Sequence, residues 1–302
     1  RGRGGGAGEA GAREGQAARQ RRARGKPESR PERRPPSPTR GMRYPRRMGR
    51  HVLTFTDRGI WCPAGDFYID PWRPVDRALV THGHSDHARP GHRRYLATEQ
   101  ALPVIRHRLG AIAAEGIAYG EARRIGDATV SFHPAGHVPG SAQIRVEVGG
   151  EVWVVSGDYK TEADGLSEPF APVRCHAFIT ECTFGLPLFR WQPQAALAAG
   201  IAAWWAANAA AGRLSILGAY GLGKAQRIMA ALPAIGPIHT HGAVEGATAI
   251  LREQGYAIPP TTRARAGEVP AGALVIAPPS ALNTPWAGRL SKGPAAQAFA
   301  SG

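Results

Sequence analysis

Thr81-His82-Gly83-His84-Ser85-Asp86-His87 sets three imidazoles and a carboxylate within six residues, from His82 to His87. The apolar run Ala78-Leu79-Val80 comes just before it, so the sequence predicts a strand ending at Thr81 with the histidines just beyond. Residues two apart on an extended chain share a side. His82 and His84 can therefore converge on one ion, with Gly83 allowing the tight turn between them. Asp86 and His87 start a new segment and suit a second, adjacent ion. Neutral imidazole and carboxylate are ligands for zinc, or for manganese or iron in the same geometry. The bland alternative, a solvated His-rich turn, fits this density poorly.

Working outward, two further positions can complete a binuclear centre. His137, in Pro134-Ala135-Gly136-His137, follows a predicted strand and has Gly136 and Gly140 beside it, so its loop can approach the ion held by His82 and His84. Glu151-Val152-Trp153-Val154-Val155 is almost wholly apolar and reads as a central strand that delivers Asp158 from its end; Ala177-Phe178-Ile179-Thr180 does the same for Glu181. A carboxylate at Asp158 can bridge two ions. Ions about 3.5 to 4 Å apart share a hydroxide and brace the attacking and leaving oxygens of a phosphoryl displacement, and such an ion lowers the pKa of bound water to about 7.

Composition excludes several classes. The net charge of +15 suggests nucleic acid until it is located: residues 1–50 hold 16 Lys and Arg against 4 Glu, while the rest of the chain holds 22 basic and 19 acidic residues. Residues 1–47, rich in Arg, Gly, Pro and Glu, bury too little to offset ordering entropy and are expected to be a disordered basic tail. A translation start assigned too far upstream accounts for it at least as well as a phosphate-binding arm. Cys62, Cys175 and Cys182 form no paired framework, which predicts a reducing compartment and small buried side chains. No secretory signal is visible. The uncharged stretch from Trp191 to Gly212 contains Gln192, Gln194 and Asn208 and reads as a helix packed on a core, not as a membrane span. The expectation is a cytoplasmic protein.

Taken in order, the chain predicts strands at 52–56, 66–70, 78–81, 128–132, 142–148, 151–155 and 177–180, with a helix near 100–109. Residues 142–148 alternate with period two, predicting one buried and one wet face. After Trp191 come an Ala-rich helix over 194–211, a strand at 214–217, a helix to about Leu232 and a strand at 237–240, an α/β alternation that suggests a second domain.

These residues and their order resemble the metallo-β-lactamase superfamily, with its His-x-His-x-Asp-His followed by a lone His and a lone Asp. Thr180-Glu181-Cys182-Thr183-Phe184-Gly185 resembles the acidic motif of the β-CASP nuclease branch. Tyr68-Ile69-Asp70-Pro71-Trp72, Pro134-Ala135-Gly136-His137, Ser156-Gly157-Asp158-Tyr159-Lys160 and Gly223-Lys224-Ala225-Gln226-Arg227 are similar to bacterial ligase-associated DNA exonucleases, often labelled messenger-RNA 3′-end processing factors. The resemblance covers about residues 50–302. It implies an α/β fold, a metallo-β-lactamase αββα sandwich with an inserted β-CASP-like α/β domain. The core's N-terminal part would span 48–190 and the insertion 191–302. The family's later Ser-Asp-His and Thr-His-Gly segments are not reached before Phe299-Ala300-Ser301-Gly302, so the core's C-terminal part is expected to be missing, with one ligand of the second ion.

By the same resemblance Asp70 orders the metal-binding loop, His82, His84 and His137 form one site, Asp86 and His87 the other, Asp158 is shared, and Glu181 orients a later histidine and assists proton transfer. Asp86, Asp158, Glu181 and Asp70 are thus the expected catalytic group, and two divalent ions, zinc or manganese, the cofactors. The implied activity is a metal-dependent phosphodiesterase that uses a metal-bound hydroxide, a DNA exonuclease in repair with DNA as partner and a DNA ligase and helicase alongside. The alternatives are an RNA-processing nuclease of the same branch and an inactive nucleic-acid-binding fragment.

Two stretches imitate other sites. Gly218-Ala219-Tyr220-Gly221-Leu222-Gly223-Lys224 fits a phosphate-binding loop, but residue 225 is Ala where a magnesium-binding hydroxyl is needed. A milder role remains, in which the loop's amides with Lys224 and Arg227 hold a nucleic-acid phosphate. His239-Thr240-His241-Gly242 imitates a metal pair and is expected to be structural or to contact substrate, whereas His92, His107, His133 and His176 are expected to be structural.

Overall fold

The computed structural model describes residues 51–182, 185, 191–290 and 292–300, all within one unit that begins at Gly49. The basic tail, Thr183 and Phe184 of the acidic motif, and the terminal Ser301-Gly302 lie outside the described residues.

Short strands separated by Gly, Pro and Asp turns build two sheets. The first runs β1 (Thr54–Phe55), β2 (Ile60–Cys62), β3 (Phe67–Ile69), β4 (Arg77–Leu79), β5 (Arg94–Thr98) and β6 (Ala114–Ile117) in spatial order, antiparallel up to β3 and parallel from there on. The second is an antiparallel meander of β7 (Ala122–Ile125), β8 (Ala128–Pro134), β9 (Ala142–Val148) and β10 (Glu151–Val155), to which β11 (Ala177–Ile179) adds in parallel. Their inner faces share one core. Phe67, Ile69, Leu79, Leu96 and Ile117 of the first sheet meet Val130, Phe132, Ile144, Val146 and Val155 of the second. Helix α1 (Leu102–Leu109), with Pro103 in its first turn, packs Ile105 among Val80, Tyr95 and Ala97 beside the first sheet.

A third sheet follows α2 (Gln194–Ala210). Its strands β12 (Leu214–Gly218), β13 (Ile238–Thr240), β14 (Thr262–Arg263), β15 (Leu274–Ala277) and β16 (Ala295–Phe299) are all parallel, in the spatial order β14-β13-β15-β12-β16. β12 and β15 are buried throughout, as strands covered on both faces must be. Trp205, Met229 of α3 (Lys224–Ala231), and Val244 and Leu251 of α4 (Gly242–Glu253) cluster with Leu217 and Ile276; Leu214, Ile216 and Val275 cluster with Ala287 and Leu290. The architecture is mixed α/β.

Three expectations change. Gln143, on the predicted wet face of β9, is buried because its Nε2 donates to the carbonyls of Pro134 and Ala171 at 3.0 and 2.8 Å. Helix α2 fully buries only Trp205 and Asn208 and leaves Leu197 half exposed, so only part of it packs on a core. Among the cysteines Cys62 alone is buried, and Cys182 is exposed. Among the described residues no helix is long and apolar enough to cross a membrane.

Candidate metal centre

Strand ends from both core sheets converge on the opening stretch. β4 stops at Leu79, and Val80 donates its amide to Leu96 before the chain turns at His82. Thr81 then ties the two sheets together, because its carbonyl accepts from the amide of Ala142 on β9 at 2.9 Å. Gly157, at φ +54°, makes the approach of Asp158 possible: a Cβ there would lie 2.6 to 2.9 Å from the Thr81 side chain.

Four donor atoms face one another. His82 Nε2 lies 2.9 Å from His84 Nδ1, which lies 3.3 Å from His137 Nε2; Asp158 Oδ2 lies 3.3 Å from His137 Nε2 and 3.7 Å from His82 Nε2. Ligands at about 2.0 to 2.1 Å from a tetrahedral zinc are separated by about 3.3 to 3.4 Å. The donor set therefore fits such an ion in number, chemistry and spacing. Burial holds the His82 imidazole well below its ordinary pKa, with a contribution from His87, and lowers those of His84 and His137, the latter to about 3. Neutral rings keep lone pairs available for a cation.

The outward-facing nitrogens fix the tautomers. His84 donates Nε2–H to the Leu222 carbonyl at 3.1 Å, leaving Nδ1 free for the cluster. Thr81 Oγ1 donates to Asp70 Oδ2 and so accepts from His82 Nδ1 at 3.1 Å, which leaves His82 Nε2 as the lone-pair atom. Ser141, 1% exposed, accepts from the amides of His137 and Val138 and holds that loop in place.

A second group joins His87, Asp158 and Glu181. His87 Nε2 lies 3.7 Å from Glu181 Oε2 and 4.0 Å from Asp158 Oδ1, so Asp158 offers one oxygen to each group. Glu181 thus stands among the possible ligands here, beyond the orienting role expected of it. Asp86 stays outside the group, exposed, with Oδ2 3.8 Å from His87 Nε2. Burial works against a charged His87, but the hydrogen bond and charge of Asp70, with Asp158 and Asp86, outweigh it and raise the ring to about 9. Burial and the Asp158 charge raise the Glu181 carboxyl. Asp70 sits at φ +43°, a conformation that an aspartate tolerates better than most side chains. From there it accepts from the Thr81 amide, the Thr81 hydroxyl and His87 Nδ1 at 2.8, 2.6 and 2.8 Å.

The imitating stretches resolve differently. The amides of Gly223, Lys224, Ala225 and Arg227 bond to Gln226 Oε1 and to the carbonyls of Leu222, Tyr220 and Gly223, so they are not open to a phosphate. Lys224 Nζ lies over the Tyr220 ring at 5.1 Å, and Arg227 Nη1 lies 3.8 Å from Asp164. His239 is buried in β13, and His241 caps α4 by accepting from the Ala243 amide; neither joins a ligand group among the described residues. Thr81, Ser141 and Leu222 were missed from sequence. Thr81 had a signal in its position between Asp70's partner strand and His82, whereas Ser141 and a backbone carbonyl had none.

No protein-family model matches the chain. Its sequence is 30% identical over 236 residues to a protein named Probable DNA ligase from Opitutus terrae, covering 77% of this chain and 23% of that one. It is 31% identical over 149 residues to Ribonuclease TTHA0252 from Thermus thermophilus, covering 39% of this chain and 34% of that one. The chain therefore spans about a quarter and a third of the lengths of these relatives. A solved protein of unknown function from Enterococcus faecalis V583 overlaps 75% of this chain and 58% of its own at TM-score 0.46 and 12% identity, too low a likeness to carry an argument. By its histidine and carboxylate motifs, with which these two relatives are consistent, the chain resembles the metallo-β-lactamase superfamily and the ligase-associated nucleases of its β-CASP branch.

Proposed function

We propose that the chain is the metal-binding part of a phosphodiesterase that degrades DNA from an end during repair. It would comprise an αββα core over 48–190 and a β-CASP-like insertion over 191–302. The observation that carries this reading is the sharing of Asp158 between two ligand groups, one of His82, His84 and His137 and the other of His87 and Glu181 with Asp86 beside it. Two divalent ions held there, zinc or manganese, would supply Lewis-acid stabilisation of the charge that develops on phosphoryl oxygens. Asp70 holds His87 and Thr81 in place for them. Glu181 would offer Oε2, 3.7 Å from His87 Nε2, to the second ion and leave its other carboxylate oxygen to carry a proton to or from a reacting oxygen. The Lys224 and Arg227 side chains supply positive charge for the phosphates of the strand.

The relative named as a DNA ligase supports DNA as the substrate and a ligase as companion; the relative named as a ribonuclease supports RNA as the second reading. The test is zinc- or manganese-loaded protein on end-labelled single-stranded DNA and RNA, with a chelator control. Metal-dependent shortening of DNA faster than of RNA is expected. Faster loss of RNA favours the second reading. Binding of metal and nucleic acid without cleavage overturns the hydrolase reading and leaves a binding module.

A further inference from the structure

The ring of His84 is oriented by a loop of the third sheet, not by the sheets that carry it. Its Nε2–H donates to the Leu222 carbonyl, 138 positions along the chain. That loop has little freedom. Gly223 stands at φ +83°, with Val138 Cγ1 only 2.1 Å from where a Cβ would be, so the loop presses on the segment that follows His137. One side chain shapes it. Gln226 is fully buried, its Oε1 accepts from the Gly223 amide at 2.8 Å, and its Nε2 donates to the Gly221 carbonyl at 3.0 Å and to Thr248 Oγ1 at 2.9 Å. Thr248 is anchored in turn by donating to the Val244 carbonyl of α4. Leu222 is thus bracketed by two residues that the same amide side chain grips.

We propose that Gln226 is a positioning residue for the metal centre: it holds the 221–223 loop so that the Leu222 carbonyl keeps His84 protonated at Nε2 and free at Nδ1 for an ion. The inference rests on the metal-binding part of the function proposed above. Without the grip on Gly221 and Gly223, the carbonyl drifts and the ring samples the other tautomer and other rotations. The first ion then binds more weakly although none of its ligands has changed.

The test is zinc affinity of the metal-free full chain, measured by competition with a chromophoric chelator, for wild type, Gln226→Met, Thr248→Val and, as a control of similar core damage, Met229→Ala. Removal of an outer hydrogen-bond partner of a ligand weakens metal binding roughly 10- to 100-fold. Gln226→Met is expected to loosen the tighter zinc by about that factor, Thr248→Val by less, and Met229→Ala hardly at all. The imidazole ¹⁵N spectrum of the metal-free protein should gain signal from the Nδ1-protonated form of His84 in Gln226→Met, to a smaller extent in Thr248→Val, and not in Met229→Ala. If Gln226→Met does not fold, Gln226→Glu, which keeps the acceptor for Gly223, takes its place. Wild-type affinity in Gln226→Met, or an equal loss in Met229→Ala, overturns the inference while leaving the proposed function intact. A wild-type chain that takes up no zinc overturns both.

Discussion

Asp70 Oδ2 accepts from His87 Nδ1 at 2.8 Å and from the Thr81 hydroxyl at 2.6 Å, so one carboxylate at the end of β3 orders both sides of the His82–His87 turn. Asp70→Asn preserves the shape but removes the charge and one acceptor. Loss of such a partner is expected to weaken binding of the ion near His87 by roughly 10- to 100-fold. Zinc titration monitored by calorimetry checks this, and an unchanged second binding step would contradict it.

Gly157 brings Asp158 against Thr81. Gly157→Ala places a methyl within 2.6 to 2.9 Å of the Thr81 side chain at a φ of +54°. The left-handed conformation alone costs about 1 to 2 kcal/mol in a residue with a Cβ, and overpacking adds about 1 to 3 kcal/mol. Urea unfolding of the metal-free protein should show a loss in this range, accompanied by weaker zinc binding. A loss of stability with wild-type zinc affinity would mean that the close approach does not position Asp158.

Phe132 is fully buried between the two core sheets and offers no ligand atom. Phe132→Ala should cost about 3 to 5 kcal/mol while folded molecules keep two zinc ions. Urea unfolding and metal analysis of the folded fraction separate the two effects. Loss of zinc from fully folded protein would tie the core to the site more closely than the structure implies.

His239 provides a pH handle away from the ligands. Burial lowers its pKa, and its Nδ1 has no hydrogen-bond partner among the described residues. A histidine whose folded pKa lies below the unfolded value of about 6.5 takes up a proton more readily when unfolded. It therefore subtracts stability as pH falls below about 6.5, and none above it. His239→Leu removes this linkage and a buried polar atom, worth on the order of 1 kcal/mol. Its advantage over wild type should grow between pH 7.5 and pH 5.5 in urea unfolding of the metal-free protein. A difference independent of pH would show that His239 does not titrate differently on folding.

Much of this site was legible in sequence because its signals are local. The His82–His87 spacing, the apolar runs ending at Asp158 and Glu181, and Pro103 at a helix start each follow from a few neighbouring residues. What escaped was set by contacts distant in sequence. Gln143 looked solvent-facing by alternation, yet carbonyls of Pro134 and Ala171 capture its amide. The 218–224 loop looked like an anion cradle, but Gln226 and the carbonyls of Leu222 and Tyr220 take the amides of Gly223, Lys224 and Ala225 at its helix end. Glu181 could be flagged as acidic and near the site, whereas its place beside His87 depends on how β11 pairs with β10.

The central claim is that Asp158 is shared by two ions. Metal analysis of zinc-loaded wild type and Asp158→Ala, both checked for folding by circular dichroism, tests it most directly. The account predicts two zinc ions per wild-type chain and one or none in Asp158→Ala; two ions retained by the variant would contradict it.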